Sequence, residues 1–175
     1  MRKPLLPLLI FLPLVQGCWN MNCVDAPGPV VTRDLSVAPF NGVITEGSID
    51  VEILQGPVQQ VKAEGPAAAL DLLDTDVKSG VWHVRTTECF MSDVDLVVRI
   101  TMPTLERVGV EGSGDVNCSG AFAGERFEVT VQGSGDITVP VSARTLKVDI
   151  QGSGDVVLSG TAGEAELIIA GSGNV

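Results

Sequence analysis

Three aspartates recur at one position of a repeated segment, and they are the first candidates for chemistry: Asp115, Asp136 and Asp155, with Asn174 at the fourth copy. Each follows Gly-Ser-Gly, in VEGSGDV (110–116), VQGSGDI (131–137), IQGSGDV (150–156) and IAGSGNV (169–175). If the copies stack, the acids align one per layer, about 4.8 Å apart. Neighbouring carboxylates at that spacing repel by about 1 kcal/mol in water and several-fold more where solvation is poor. Such a column either forms turns on an exposed corner, its side chains bonding nearby backbone N–H groups, or binds a cation. Calcium prefers oxygen ligands, but the β-solenoid repeats that bind it are nine residues long with a different glycine pattern. The turn ladder is therefore the expectation, and a calcium ladder on Asp115, Asp136 and Asp155 is the alternative.

The other reactive groups are sparse. A glycosidase or polysaccharide lyase needs a carboxylate pair at fixed separation, or an acid with Lys or Arg in a groove. Nothing distinguishes one repeat aspartate from its copies, and Arg107, Arg126 and Arg144 are scattered. His83, the single histidine, lies between Val81-Trp82 and Val84-Arg85 in a predicted strand and reads as a structural imidazole. One histidine without a His/Cys cluster argues against a zinc enzyme. The GSG segments are not phosphate loops, because no GK[ST] follows and no helix begins there. No catalytic residue and no cofactor is assigned. Lys and Arg number 11 against 22 Asp and Glu, a formal charge of −11, which argues against a nucleic-acid partner.

The elements that position these residues follow from period-two alternation. One column of the repeats is Val110, Val131, Ile150 and Ile169; two residues earlier stand Val108, Val129, Val148 and Leu167. Beyond the glycines come Val116, Ile137, Val156 and Val175, then Cys118, Val139 and Leu158. Polar residues fill most positions between them, the mark of strands with one buried face. Each unit holds at least two short strands split by the Gly-Ser-Gly-Asp turn, with a second turn near Ser119-Gly120, Pro140 and Ser159-Gly160. The glycine pairs Gly112/Gly114, Gly133/Gly135, Gly152/Gly154 and Gly171/Gly173 belong at a corner that requires positive φ.

A unit of 19–21 residues cannot bury its own apolar face, so the units stack. The expectation is an all-β fold: a parallel β-helix or related solenoid, with a thin aliphatic core suited to a chain holding only seven Phe and Trp and no Tyr. Cys118 falls on an inward column, which favours a buried thiol over a disulfide partner.

Residues 36–101 carry a degenerate version, with Phe40-Asn41-Gly42-Val43 leading into EGSIDVEI (46–53). Leu70, Leu72 and Leu73 permit one short helix, Thr75–Thr87 reads as a hairpin about Lys78-Ser79-Gly80, and Asp93–Thr101 as a strand closed by Met102-Pro103. This part is expected to cap the first coil.

The N-terminus reads as an export signal: basic Met1-Arg2-Lys3, then an apolar stretch from Pro4 to Val15 too short to span a bilayer. Leu14-Val15-Gln16-Gly17-Cys18 resembles the lipobox of bacterial lipoproteins, although Gln16 departs from the usual small or aliphatic residue. The resemblance implies a signal over 1–17, cleavage before Cys18 and a lipid on its thiol. The exported form then carries 9 basic and 22 acidic residues, or −13. Residues 18–35, with Pro27 and Pro29, read as a tether. Cys23, Cys89 and Cys118 allow at most one internal disulfide, its pair undetermined.

From about Phe40 to Val175 the chain resembles the bacterial head GIN domain, also called putative auto-transporter adhesin. The resemblance rests on FNGV-x-x-x-GSIDVEI, the Leu-Leu-Asp…Val-Lys-x-Gly segment, the Met-Pro-x-Leu before the first repeat, and the serial GSGD. It implies an exported domain over 36–175, often lipoprotein-like, with a fold similar to pectin-lyase-like solenoids and no established catalytic residues. Family domains usually continue through further rungs, so the expectation is that C-terminal rungs are missing or that a partner covers the last coil. End-on self-association is a third way to cover it. The functional expectation is a lipid-anchored, non-catalytic adhesion or interaction module of the cell envelope, taking a glycan or protein ligand. The alternatives are a carbohydrate-active enzyme on the same scaffold, supported by fold analogy alone, or a calcium-stabilised solenoid.

Overall fold

The computed structural model describes residues 23–175; the expected signal over 1–17 and the lipidation candidate Cys18 lie outside the described residues. In chain order the elements are β1 (Val30–Leu35), β2 (Gly42–Gly47), β3 (Asp50–Gln55), β4 (Gln60–Pro66), α1 (Ala67–Leu70), β5 (Val77–Lys78) and β6 (Val81–Val84). There follow β7 (Val97–Met102), β8 (Arg107–Gly112), β9 (Val116–Ser119), β10 (Phe122–Gly133), β11 (Ile137–Gly152) and β12 (Val156–Gly171). The fold is all-β, and α1 is a single four-residue turn. The strands join one sheet in the order β1-β4-β7-β3-β9-β11-β10-β8-β2-β6-β5, with β12 added on β11.

The sheet curls because single strands serve two walls. β11 gives Ile137 and Thr138 to β9, then runs on from Val141 to Gly152 against β10. One wall, before the corner, is built from β6, β2, β8, β10 and the later parts of β11 and β12. The other, after the corner, is built from β4, β7, β3, β9 and the early parts of β11 and β12. Between the walls lies a layered aliphatic core: Val108, Val129 and Val148 face Val116, Ile137 and Val139, every one of them fully buried. The β-branched side chains fill each layer without aromatics.

The regular solenoid expected from the repeats is met in part. β8, β10, β11 and β12 pair parallel and in register, so that Gly112, Gly133, Gly152 and Gly171 align. The sheet as a whole is nevertheless mixed and curled like half a barrel: β4 runs antiparallel to β1 and β7, and β5 to β6. The cause lies in residues 56–96, which carry no corner motif and insert β4, α1 and a hairpin between two coils. The expected second turn at Pro140 is also absent, since β11 passes through it unbroken. In β12 the counterpart is a positive φ of 114° at Gly160, within a continuous strand.

The first half closes one end of the core. Val43 pairs with Trp82 across β2 and β6, and Trp82 is fully buried, its indole N–H donated to the Asp74 carbonyl at 2.9 Å. The hairpin turn sits at Ser79 and Gly80, both with positive φ. The described part of the expected tether proves to be attached. β1 pairs antiparallel with β4, and Cys23 is disulfide-bonded to Cys89. Val24 reinforces that link, donating its N–H to the Cys89 carbonyl and accepting that of Met91. Pro27 and Pro29 suggest a loop, but the alternation of Val31, Arg33 and Leu35 beyond them makes an edge strand. At the other end, Leu167 and Ile169 of β12 are about half exposed, whereas their counterparts Val148 and Ile150 are fully buried.

Candidate functional site

The Gly-Ser-Gly-Asp corners form one continuous column. At each level the first glycine's carbonyl accepts two N–H groups from the next coil: Gly133 O takes those of Ser153 and Gly154 at 2.8 and 3.3 Å. The aspartate then bonds forward. Asp136 N–H is donated to Asp115 Oδ1 at 2.9 Å, Asp155 N–H to Asp136 Oδ1 at 2.7 Å, and Asn174 N–H to Asp155 Oδ1 at 2.9 Å. The column also extends backward, because Asp115 N–H is donated to Asp50 Oδ1 at 2.9 Å. Asp50 was readable in EGSIDVEI as an acid of the same corner, but Ile49 stands where the repeats have their second glycine.

The two glycines of each corner answer different demands. Gly112, Gly133, Gly152 and Gly171 have φ of 144°, 133°, 152° and 153°, which only glycine adopts freely. Gly114, Gly135, Gly154 and Gly173 are needed for closeness instead, since a Cβ at Gly154 would overlap the Gly135 carbonyl oxygen.

A second cluster joins β2 to the β5–β6 hairpin. His83 Nδ1 lies 2.7 Å from Glu46 Oε1, and Arg85 grips Asp74 Oδ2 through Nε and Nη2 at 3.1 and 2.9 Å. The N–H of Asp76, followed by the Arg85 guanidinium, holds the Asp74 carboxyl below its ordinary pKa. These groups rim a cavity of about 180 Å³. Arg85 also lies 3.7 Å from Glu46 Oε2, so these contacts tie the hairpin strand β6 to β2 and to Asp74. Sequence spacing could not reveal it, because Glu46 and His83 are 37 residues apart and meet only through parallel pairing.

The outward faces carry residues in ordered rows. Across the second wall the register sets Asp34, Lys62, Arg99, Glu52, Asn117 and Thr138 side by side. Arg99 bonds Glu64 at 2.5 Å and Glu52 at 2.8 Å, and these two carboxylates raise its pKa. On the first wall Arg107, Glu128, Lys147 and Glu166 share one row. Arg107 and Arg126 thus edge one groove of about 620 Å³, while Arg144 lies outside it beside Glu125. The aromatic rings Phe40, Trp82, Phe122 and Phe127 are buried, and Phe90 is half-buried. Cys118 is a buried free thiol on its inward column, its pKa pushed up to about 12 by burial.

This architecture has solved relatives. A protein of Parabacteroides distasonis ATCC 8503, described as a putative adhesin, superposes with a TM-score of 0.79 at 19% identity, covering 87% of this chain and 66% of that one. A second from the same organism, described as a putative lipid binding protein, gives 0.69 at 20% identity over 82% of this chain and 62% of its own length. A putative adhesin of Bacteroides fragilis NCTC 9343 gives 0.59 at 16% identity over 86% of this chain and 98% of that one. The chain spans less than two thirds of the length of either Parabacteroides distasonis structure. These likenesses establish the fold. No curated protein matches the chain. A family described as putative auto-transporter adhesin, head GIN domain, matches residues 39–175, from the strand leading into the first corner through the last GSG. With the corner column, the register and that match in agreement over most of the chain, it belongs to the head GIN domain family.

Proposed function

We propose that this protein is a non-catalytic adhesion or interaction module of the bacterial cell envelope, exported and held at a membrane by lipid on Cys18. The observation that carries the reading is the arrangement of its polar groups. Row after row, charged and amide side chains stand on the outer walls at the spacing of the strands, pairing with one another across the sheet. Such walls suit extended partners better than small substrates. The corner carboxylates, the most repeated acids, each accept the N–H of the next coil on Oδ1, which accounts for them by backbone chemistry. The local in-register stacking of the repeats supports reading the second half as a parallel β-solenoid.

Between a glycan and a protein ligand, the walls favour a protein. Sugar-binding platforms commonly offer an aromatic face for stacking, and the described aromatic rings are buried or half-buried. A binding screen of the exported chain against envelope proteins and glycan arrays tests this. Saturable capture of a protein partner, reduced by charge reversal at Arg99, supports the reading; turnover of a polysaccharide by the purified chain overturns it. Mass spectrometry of the mature N-terminus tests the anchor, and an unmodified Cys18 or cleavage at another bond refutes it.

A further inference from the structure

The outer face of the wall formed by β8, β10, β11 and β12 has a property that its individual ion pairs conceal. Its first row reads Arg107, Glu128, Lys147, Glu166, one residue per strand, in alternating sign. Read backward, this row is its own electrostatic complement. We propose that this face pairs with the same face of a second copy, about a twofold axis parallel to the strands and lying between β10 and β11.

That operation keeps strand direction and reverses strand order, as in the aligned packing of two sheets. It sets Arg107 of one copy against Glu166 of the other, and Glu128 against Lys147. The next row is Gly109, Thr130, Asp149, Ile168, and the same axis sets Asp149 against Thr130 and the exposed Ile168 against Gly109. The third is Glu111, Gln132, Gln151, Ala170, where Gln132 meets Gln151 and Glu111 meets Ala170. No acid faces an acid in any of the three rows. For a chain of net charge −11 that condition is demanding, because a random apposition of its surfaces brings like charges together. In β10 and β11 Val129, Val131, Val148 and Ile150 point inward, and β8 and β12 pair with them in register, so all three rows lie on the outer side, with Gly109 itself buried. The first row also floors the groove of about 620 Å³, which has room for interleaving long side chains. Four strands make a small contact, so the association is weak and driven by charge order.

Sedimentation equilibrium on the full chain, in density-matched nonionic detergent, tests the proposal. At low salt the protein mass rises from one copy toward two between about 10 μM and about 500 μM, the range of small interfaces. It falls back at about 0.5 M salt, where exposed charges are screened. Lys147→Glu sets carboxylates against Glu128 twice per dimer and keeps the chain monomeric, while Glu128→Lys with Lys147→Glu restores opposite charges across the twofold axis, and with them the dimer. Thr130→Asp, which places a carboxylate against Asp149 of the other copy, abolishes pairing independently should the first variant melt early. A wild-type chain that stays monomeric throughout overturns the proposal, as does a folded Lys147→Glu chain that dimerises like wild type.

Discussion

Asp155 gives its backbone N–H to Oδ1 of Asp136 at 2.7 Å, although the two residues are 19 apart in sequence. The same bond recurs from Asp50 to Asn174, so each corner is aligned by the one before it. What this requires of the side chain is an acceptor oxygen, and Asn174 occupies the same position without a charge. Asp136→Asn therefore leaves stability within about 0.5 kcal/mol of wild type, whereas Asp136→Ala costs about 1 kcal/mol by orphaning the Asp155 N–H. Urea denaturation of both variants checks the difference. Equal losses would mean that the charge, and not the acceptor, matters.

The glycines answer a steric demand that polar chemistry cannot relieve. Gly154→Ala drives a methyl into the Gly135 carbonyl, part of a peptide unit fixed by the bonds of the Gly135 N–H to Gly112 O and of the Asp136 N–H to Asp115 Oδ1. The cost expected is more than about 3 kcal/mol, or failure to fold. Gly152→Val adds positive-φ strain to a similar overlap with Gly133 and lowers the melting temperature at least as far. The contrast comes from Gly124, where a Cβ meets only a carbonyl oxygen 3.7 Å away, so that Gly124→Ala is tolerated.

How much of this was legible depended on whether a feature repeats. The inward columns, the corner and the buried Cys118 follow from period-two alternation inside copies of 19–21 residues, and the observed register matches them residue by residue. Features built once were hidden. Glu46 meets His83, and Arg85 meets Asp74, only because the hairpin docks beside β2. The strand Val30–Leu35 was masked by two prolines whose influence ends before it begins. The Cys23–Cys89 pair spans 66 residues, and no spacing rule selects it over a bond involving Cys118.

Asp74 gives the chain a pH dependence of known sign. Its carboxyl is held below the ordinary value of 3.8, first by the Asp76 N–H and then by Arg85. A depressed carboxylate contributes stability that is fully present above its unfolded pKa and is lost as pH falls through the folded one. Asp74→Asn lacks that contribution. The stability gap between wild type and variant is therefore widest near neutrality and closes as pH drops below about 4. Thermal melts across pH 2.5 to 7 (roughly the carboxylate range) measure the gap, and one that widens on acidification would contradict the sign.

The three described cysteines separate into two behaviours under one reagent. Cys118 is buried on an inward column, and burial pushes its thiol up to about 12, so at pH near 8 almost none is thiolate. Alkylation of the native chain at that site runs more than about 100-fold slower than in denaturant, where an ordinary thiol titrates near 8.5. Cys23 and Cys89 are protected by their bond instead, and resist alkylation until reduced. Reduction opens a loop of 66 residues, for which chain entropy gives a loss of about 4 kcal/mol. Cys89→Ser shows the same loss without reductant and frees Cys23 for labelling at an ordinary rate, while Cys118 stays silent until the domain unfolds. Fast native labelling at Cys118 would contradict the inward column, because a thiol that faces the core reacts only through opening of the sheet.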